Sequence, residues 1–342
     1  MTGGWRGPAT AARLPAMRIM ARAGLALLCL LLAPALALAQ PPVWVVRDKD
    51  STITLFGSVH VLPQGLDWRP PALARAMAGA DDIWFEAPMD QAGLTAATQE
   101  ALAHAFLPEG QTLKPMLSRA GRTRLAAIAR EGGLPPEEFD RLRPWYAELM
   151  VQGIMFRKVG AEGADGVEQQ LWAGIPPGAK RVALETVKEQ IGFFADAPAK
   201  EQLASLEQTL KDAANAEHDY QLLLKAWMAG DVRTLDREVV IPLKKTSPTL
   251  YVRLVTERNA RWIDALTRRM AGSGNTVIVV GMGHLIGPDG LPAQLRARGY
   301  RVEGPRSAFP VQRPANRGTL HGHGARPRSS AGAHHHRRVR KV

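Results

Sequence analysis

Two stretches of this chain repeat one device. The run Ile53-Thr54-Leu55-Phe56 leads into Gly57-Ser58-Val59-His60, and Val277-Ile278-Val279-Val280 leads into Gly281-Met282-Gly283-His284. A short apolar run rich in branched residues reads as a buried strand of the kind found in parallel sheets. The glycine lets the chain leave the strand sharply, which sets each histidine just past the strand's C-terminal end. In open α/β sheets ligands bind at that edge. The two motifs lie more than 200 residues apart, so their reuse implies one sheet gathering distant segments at a shared site.

The rest of the pattern agrees. Strand candidates span residues 44–46, 52–56, 83–86, 181–184, 277–280 and 300–302. Helical periodicity fills the intervals in two inserts. The first holds 116–130, which stops at Gly132-Gly133, and 144–158, which has Pro144 in its first turn and stops near Gly160. The second holds one long helix over 200–229, with Leu203, Leu206, Leu210, Tyr220, Leu224 and Trp227 on one stripe, and another over 248–270. Residues 40–303 therefore read as a single α/β domain, a mixed β-sheet flanked by many helices. Met77, Met116, Met150, Met155 and Trp145 sit at helical spacing and are expected in the core.

The two ends differ from this middle. Arg18 and Arg22 precede the apolar run 23–32, and Ala37-Leu38-Ala39 offers a small-x-small cleavage site, the pattern of a secretory signal peptide over residues 1–39. Export to the periplasm or the extracellular space follows, with membrane attachment only where that segment stays uncleaved. The single cysteine, Cys29, falls inside it. The mature chain then has no thiol for disulfides, nucleophilic catalysis or a Cys-type zinc site. Residues 304–342 carry nine Arg and Lys, no acids and few large apolar residues, as expected of a disordered basic tail. The tail histidines His321, His323 and His334 to His336 read as solvated. Without the two ends the charge balance is 31 basic against 32 acidic residues, not the +12 of the whole chain. A neutral core lacks the electrostatic footprint of a nucleic-acid binder.

Four strands end in a residue able to hold a metal or move a proton: His60, Glu86 after Ile83-Trp84-Phe85, Glu185 after Val182-Ala183-Leu184, and His284. A carboxylate closing a buried strand is costly unless paired, hydrogen-bonded or bound to a cation. Two imidazoles and two carboxylates suit a divalent ion such as Mn²⁺, Co²⁺ or Zn²⁺. Other chemistries find no support. After Gly281-x-Gly283 the spacing to the third glycine is wrong for a dinucleotide fingerprint, and Pro288-Asp289-Gly290 makes a turn where the phosphate-binding helix should start. There is no His-Glu-x-x-His and no Gly-x-Ser-x-Gly. Ser58 is expected to bond local backbone, His104 and His218 to be solvated, and Asp81-Asp82 to form a turn.

Gly57-Ser58-Val59-His60, Phe85-Glu86, Gly163-Ala164-Asp165 continuing to Leu184-Glu185-Thr186 and Glu189-Gln190, Arg258-Asn259, and the stretch from Gly281 through Leu291 to Gly299-Tyr300 occur in an order that resembles the TraB/GumN family, which is related to the Tiki proteins. The resemblance covers residues 43–303. It implies a metal-dependent, peptidase-like fold with paired Gly-x-x-His motifs and an essential glutamate. By position His60, Glu86 and His284 are the primary candidates, with Glu185, Arg258 and Asn259 supporting them. The expected chemistry is metal-assisted hydrolysis of an amide or ester in a peptide or small-molecule substrate. Glu86 serves as general base or ligand, and Arg258 stabilises the oxyanion. The alternative is a non-catalytic binder of a metal, haem or other small ligand in the same pocket.

Overall fold

The computed structural model describes residues 40–306. The signal peptide expected over residues 1–39 lies outside them, as does the basic tail from residue 307 onward. Six strands form the main sheet: β1 (Val43–Arg47), β2 (Ser51–Ser58), β4 (Asp82–Phe85), β6 (Lys180–Ala183), β7 (Gly274–Gly281) and β8 (Arg301–Glu303), in the order β6-β4-β7-β2-β1-β8. They correspond to the six expected strands with ends shifted by a few residues. β3 (Leu62–Pro63) and β5 (Ala161–Glu162) pair separately. Two residues each are too few for periodicity to reveal.

Register explains why the two Gly-x-x-His motifs meet. β2 and β7 run parallel and in step from Ser51 beside Gly274 to Ser58 beside Gly281. On the other flank of β7, Phe85 of β4 pairs with Val279, and Phe85 also pairs with Ala183 of β6. All four parallel strands therefore finish at nearly the same level. β1 and β8 extend the sheet past β2 through antiparallel pairings, which makes it mixed.

Most buried apolar residues fall into two large cores. The larger packs both faces of the sheet, with Ile53, Leu55, Phe56, Ile83, Phe85 and Val277 to Val280 against Trp68, Leu73, Trp227, Trp262 and Leu266. The second lies among helices, where Leu125, Ile128, Phe139, Val151, Ile154, Leu206 and Leu210 pack together. Helix Pro144–Lys158 has the expected span. The helix expected from residue 116 starts instead at Arg119, where the Ser118 side chain accepts from Gly121 N–H and caps the first turn. The single helix expected over 200–229 is two, Ala199–Asp212 and Ala216–Met228, broken by the turn Ala213–Asn215. The break has a physical cause: Leu206 and Leu210 serve the helical core, whereas Ala226 and Trp227 serve the sheet. Met116 is exposed rather than in the core, while Met77 and Trp145 are buried and Met150 and Met155 pack partly buried on the helical core. Among the described residues no helix is long and apolar enough to cross a membrane.

The segment expected as one helix over 248–270 contains a π-helical turn, Val252–Thr256, between Pro248–Tyr251 and Glu257–Met270. Such a turn shifts the phase of the side chains that follow it. In Glu257–Met270 the buried positions are Arg258, Asn259, Trp262, Ile263, Leu266 and Met270, one face of the helix. Its first turn thus carries an arginine and an asparagine into the sheet's C-terminal edge.

Candidate functional site

Arg258 sits at the centre of this edge and is buried, stacked over Trp262 with Cζ 4.6 Å from the ring centroid and facing Phe193 at 5.0 Å. Its Nε lies 2.9 and 3.0 Å from the two Glu185 carboxylate oxygens. Nη2 donates to Glu185 Oε2 at 2.7 Å and to Glu86 Oε2 at 2.6 Å. Nη1 approaches His284 Nε2 at 3.0 Å and Leu254 O at 3.3 Å. A guanidinium has five N–H donors, and these contacts engage all five. The oxyanion role expected of Arg258 therefore does not fit, because no donor is left to face a substrate. Its place is behind the site, where it binds two carboxylates.

Glu185, expected as a metal ligand, is likewise turned away. Both its oxygens face guanidinium groups, those of Arg258 and, at 3.1 Å, Arg261. Glu86 is positioned differently. Its Oε2 takes Arg258 and, at 3.2 Å, the Gln190 amide, while its Oε1 accepts from Gly281 N–H at 2.7 Å. Burial alone would push the Glu86 carboxyl up. The Arg258 charge, ahead of the neighbouring His284 and His60 imidazoles and the Gly281 N–H, outweighs it and holds the group down at about 2. Glu86 is thus a fixed anion at the strand ends.

His284 is buried with its ring tilted on Trp262, centroids 4.4 Å apart. Nδ1 lies 2.8 Å from Asn259 Oδ1, while Asn259 Nδ2 donates to the carbonyls of His284 and Asp289 at 3.1 and 2.9 Å. The network assigns the ring proton to Nδ1 and leaves a lone pair on Nε2, 3.7 Å from Glu86 Oε1. Burial first, and the Arg258 charge in the same direction, lower the His284 pKa to about 3, so the ring is neutral. His60 is the reverse case. Its side chain is 71% exposed, and Nδ1 lies 2.6 Å from Glu168 Oε1. That carboxylate raises the imidazole's pKa, an attraction that water on the open side screens.

These side chains converge on one spot. A Cβ added to Gly281 would lie 3.3 Å from Glu86 Oε1, 3.7 Å from His60 Nε2 and 3.8 Å from His284 Cδ2. The glycine of the second motif leaves that space open. The glycine of the first has another task, since a Cβ on Gly57 would collide with Met282. His60, Glu86 and His284 thus surround a common point, with Arg258, Asn259 and Glu185 holding them from behind. Each imidazole has its Nδ1 anchored to an oxygen, the arrangement by which metal-ligating histidines are oriented. By residue type the two imidazoles and the carboxylate at this spot are donors that a divalent ion takes. The set is not a closed cage: Arg258 uses the His284 Nε2 lone pair, and among the described residues no three His, Cys, Asp or Glu side chains stand in the arrangement of a metal site.

Beside His60 opens a cleft of about 240 Å³, lined by the apolar Phe85, Ala87 and Met89 and by the polar Glu86, Glu168, Gln169 and Gln190. Sequence reasoning assigned no role to Glu168 or Gln190. Glu168 lies near the start of helix Val167–Ala173, where an acid ordinarily reads as a solvated N-terminal charge. Ser58, expected on local backbone, instead donates to Glu168 Oε1 at 2.6 Å. His104 pairs with Glu100 on a half-open surface and His218 is exposed.

The model of the TraB/PrgY/gumN family matches residues 42–304. The uncharacterized protein YbaP of Escherichia coli (strain K12) is 28% identical over 258 residues, 75% of this chain and 92% of that protein. YbaP of Shigella flexneri is 28% identical over 244 residues, covering 71% and 87%. An uncharacterized protein of Treponema pallidum (strain Nichols) is 20% identical over 269 residues, covering 75% and 80%. No solved structure matches.

Proposed function

The chain belongs to the TraB/PrgY/gumN family, and from that premise we propose that it is an exported metal-dependent hydrolase acting on amide bonds in peptide-like substrates. One observation carries this reading: His60 Nε2, Glu86 Oε1 and the His284 ring lie within 4 Å of a single open point above Gly281. His60, His284 and Glu86 would hold the ion. When bound, such an ion lowers the pKa of its water and polarises the carbonyl under attack.

The chain's own residues have distinct parts. His284 keeps its proton on Nδ1 for Asn259, and its Nε2 lone pair, now taken by Arg258 Nη1 at 3.0 Å, would have to be released to an ion. Glu86 keeps its charge under the hold of Arg258, which suits a ligand better than a general base: at about 2 its pKa lies far from the neutral range where proton abstraction is efficient. Arg258 and Glu185 fix the position of that anion. Substrate would enter from the open side, where His60 and the cleft lie. At about 240 Å³ the cleft is smaller than the pockets of ~300 Å³ and above that enclose drug-sized ligands. Its volume suits one side chain of a peptide.

The test is equilibrium dialysis of the purified protein against Zn²⁺, Mn²⁺ and Co²⁺, followed by digestion of a peptide library. One ion retained per chain, with peptide cleavage, and loss of both in His60→Ala and His284→Ala is the expected result. Wild-type metal retention in both variants, with folding intact, would overturn it.

A further inference from the structure

His60 is the member of the site that packing does not hold. Its ring stands largely in solvent, two residues beyond the end of β2, so a bond must set its orientation. Among the described residues that bond comes from Glu168, whose Oε1 lies 2.6 Å from His60 Nδ1. The same oxygen accepts from Ser58 Oγ at 2.6 Å. Glu168 is buried, and no Arg or Lys pairs with it among the described residues. A buried carboxylate without a permanent cation is costly, and its two side-chain partners both belong to the first Gly-x-x-His motif.

The backbone around Glu168 is fitted to the same motif. Val167 N–H donates to Val59 O at 3.2 Å. A Cβ on Gly166 would collide with the carbonyl oxygen of His60. The segment Gly166-Val167-Glu168 therefore meets residues 58–60 through a backbone hydrogen bond, a close approach only glycine permits, and a shared carboxylate oxygen. Another role, such as a helix-capping acid or a surface ion pair, would not require contact with this particular loop.

We propose that Glu168 is the positioning residue of His60, fixing Nδ1 so that Nε2 faces the point framed by Glu86 and His284, with Gly166 as the close-packing part of the same device. The proposal rests on the metal-site reading above. Asn259 does the corresponding job for His284, through Oδ1 at 2.8 Å. The two differ in kind, a carboxylate for the exposed ring and an amide for the buried one. An anionic partner also makes the imidazole a better donor to a cation.

The test is Zn²⁺ affinity, measured by chelator competition on the full chain, for wild type, His60→Ala, Glu168→Ala, Glu168→Gln, Gly166→Ala and the double variant His60→Ala/Glu168→Ala, with thermal unfolding recorded for each. Glu168→Ala is expected to weaken binding by about 10- to 100-fold. Glu168→Gln, which keeps an acceptor oxygen, loses less. Gly166→Ala weakens binding although every polar group remains. In the His60→Ala background, adding Glu168→Ala changes nothing further, because the carboxylate acts through that ring. Should Glu168→Ala fail to fold, Glu168→Gln and Gly166→Ala carry the comparison. Wild-type affinity in the Glu168 and Gly166 variants alongside a loss in His60→Ala would overturn the proposal and leave the metal site standing, as would full additivity in the double variant. Wild-type affinity in His60→Ala would overturn the metal reading itself.

Discussion

Asn259 and His284 are joined through Oδ1 and Nδ1 at 2.8 Å, and the same asparagine ties the His284 and Asp289 carbonyls through Nδ2. One buried side chain thus sets the tautomer of the imidazole and pins the loop that carries it. Asn259→Ala leaves Nδ1–H and two carbonyls without this partner. A loss of about 1–3 kcal/mol in urea unfolding is expected, together with weaker metal retention. Asn259→Asp restores only the acceptor and should recover only part of either.

Arg258 has a steeper effect. Its removal strands the buried Glu185 carboxylate and takes from Glu86 its main counter-charge. Breaking a buried pair from one side costs about 3–5 kcal/mol, so Arg258→Met should lower the denaturant midpoint sharply. Arg258→Lys cannot reproduce five donors in a planar fork and should rescue little of that loss.

Glu86 gives the fold an acid limit. Its folded pKa, about 2, is depressed below the ordinary 4.5. A depressed carboxyl contributes stability that is present above the unfolded value and is lost as pH falls through the folded one. Wild-type stability should therefore decline between about pH 4.5 and pH 2. Glu86→Gln should show a shallower slope across that window in denaturation curves taken at successive pH values.

Gly281 allows the open point to be filled without removing a functional group. Its φ of −51° suits any residue, and a Cβ would stand 3.3 Å from Glu86 Oε1. Gly281→Ala should fold, at a cost on the order of 1 kcal/mol, and bind metal far more weakly than wild type. Undiminished binding would mean the ion sits elsewhere.

A distant control belongs to the helical core. Leu206 is fully buried there, and Leu206→Ala should cost about 2–5 kcal/mol. Metal affinity of the folded fraction should stay at the wild-type level.

The strands, and the fact that His60, Glu86 and His284 each follow an apolar run, could be read from sequence; that the three are neighbours could not, because it depends on strand order and register. Period and strand length need no knowledge of neighbours. Glu168 gave no such signal, since an acid near a helix start is ordinary and its partners lie more than 100 residues earlier. The true task of Arg258 depends on counting acceptors in three dimensions, which no spacing reveals. Likewise the break at Ala213–Asn215 follows from two cores competing for one apolar stripe. Boundaries set by tertiary demand are invisible to local periodicity.

The most direct test of the site is X-ray absorption at the zinc edge of the Zn²⁺-loaded protein. Two imidazole nitrogens at about 2.0–2.1 Å with oxygen completing the shell are expected, falling to one imidazole in His60→Ala and in His284→Ala. A shell without histidine, or one unchanged by either substitution, would contradict the convergence of the two motifs on a single ion.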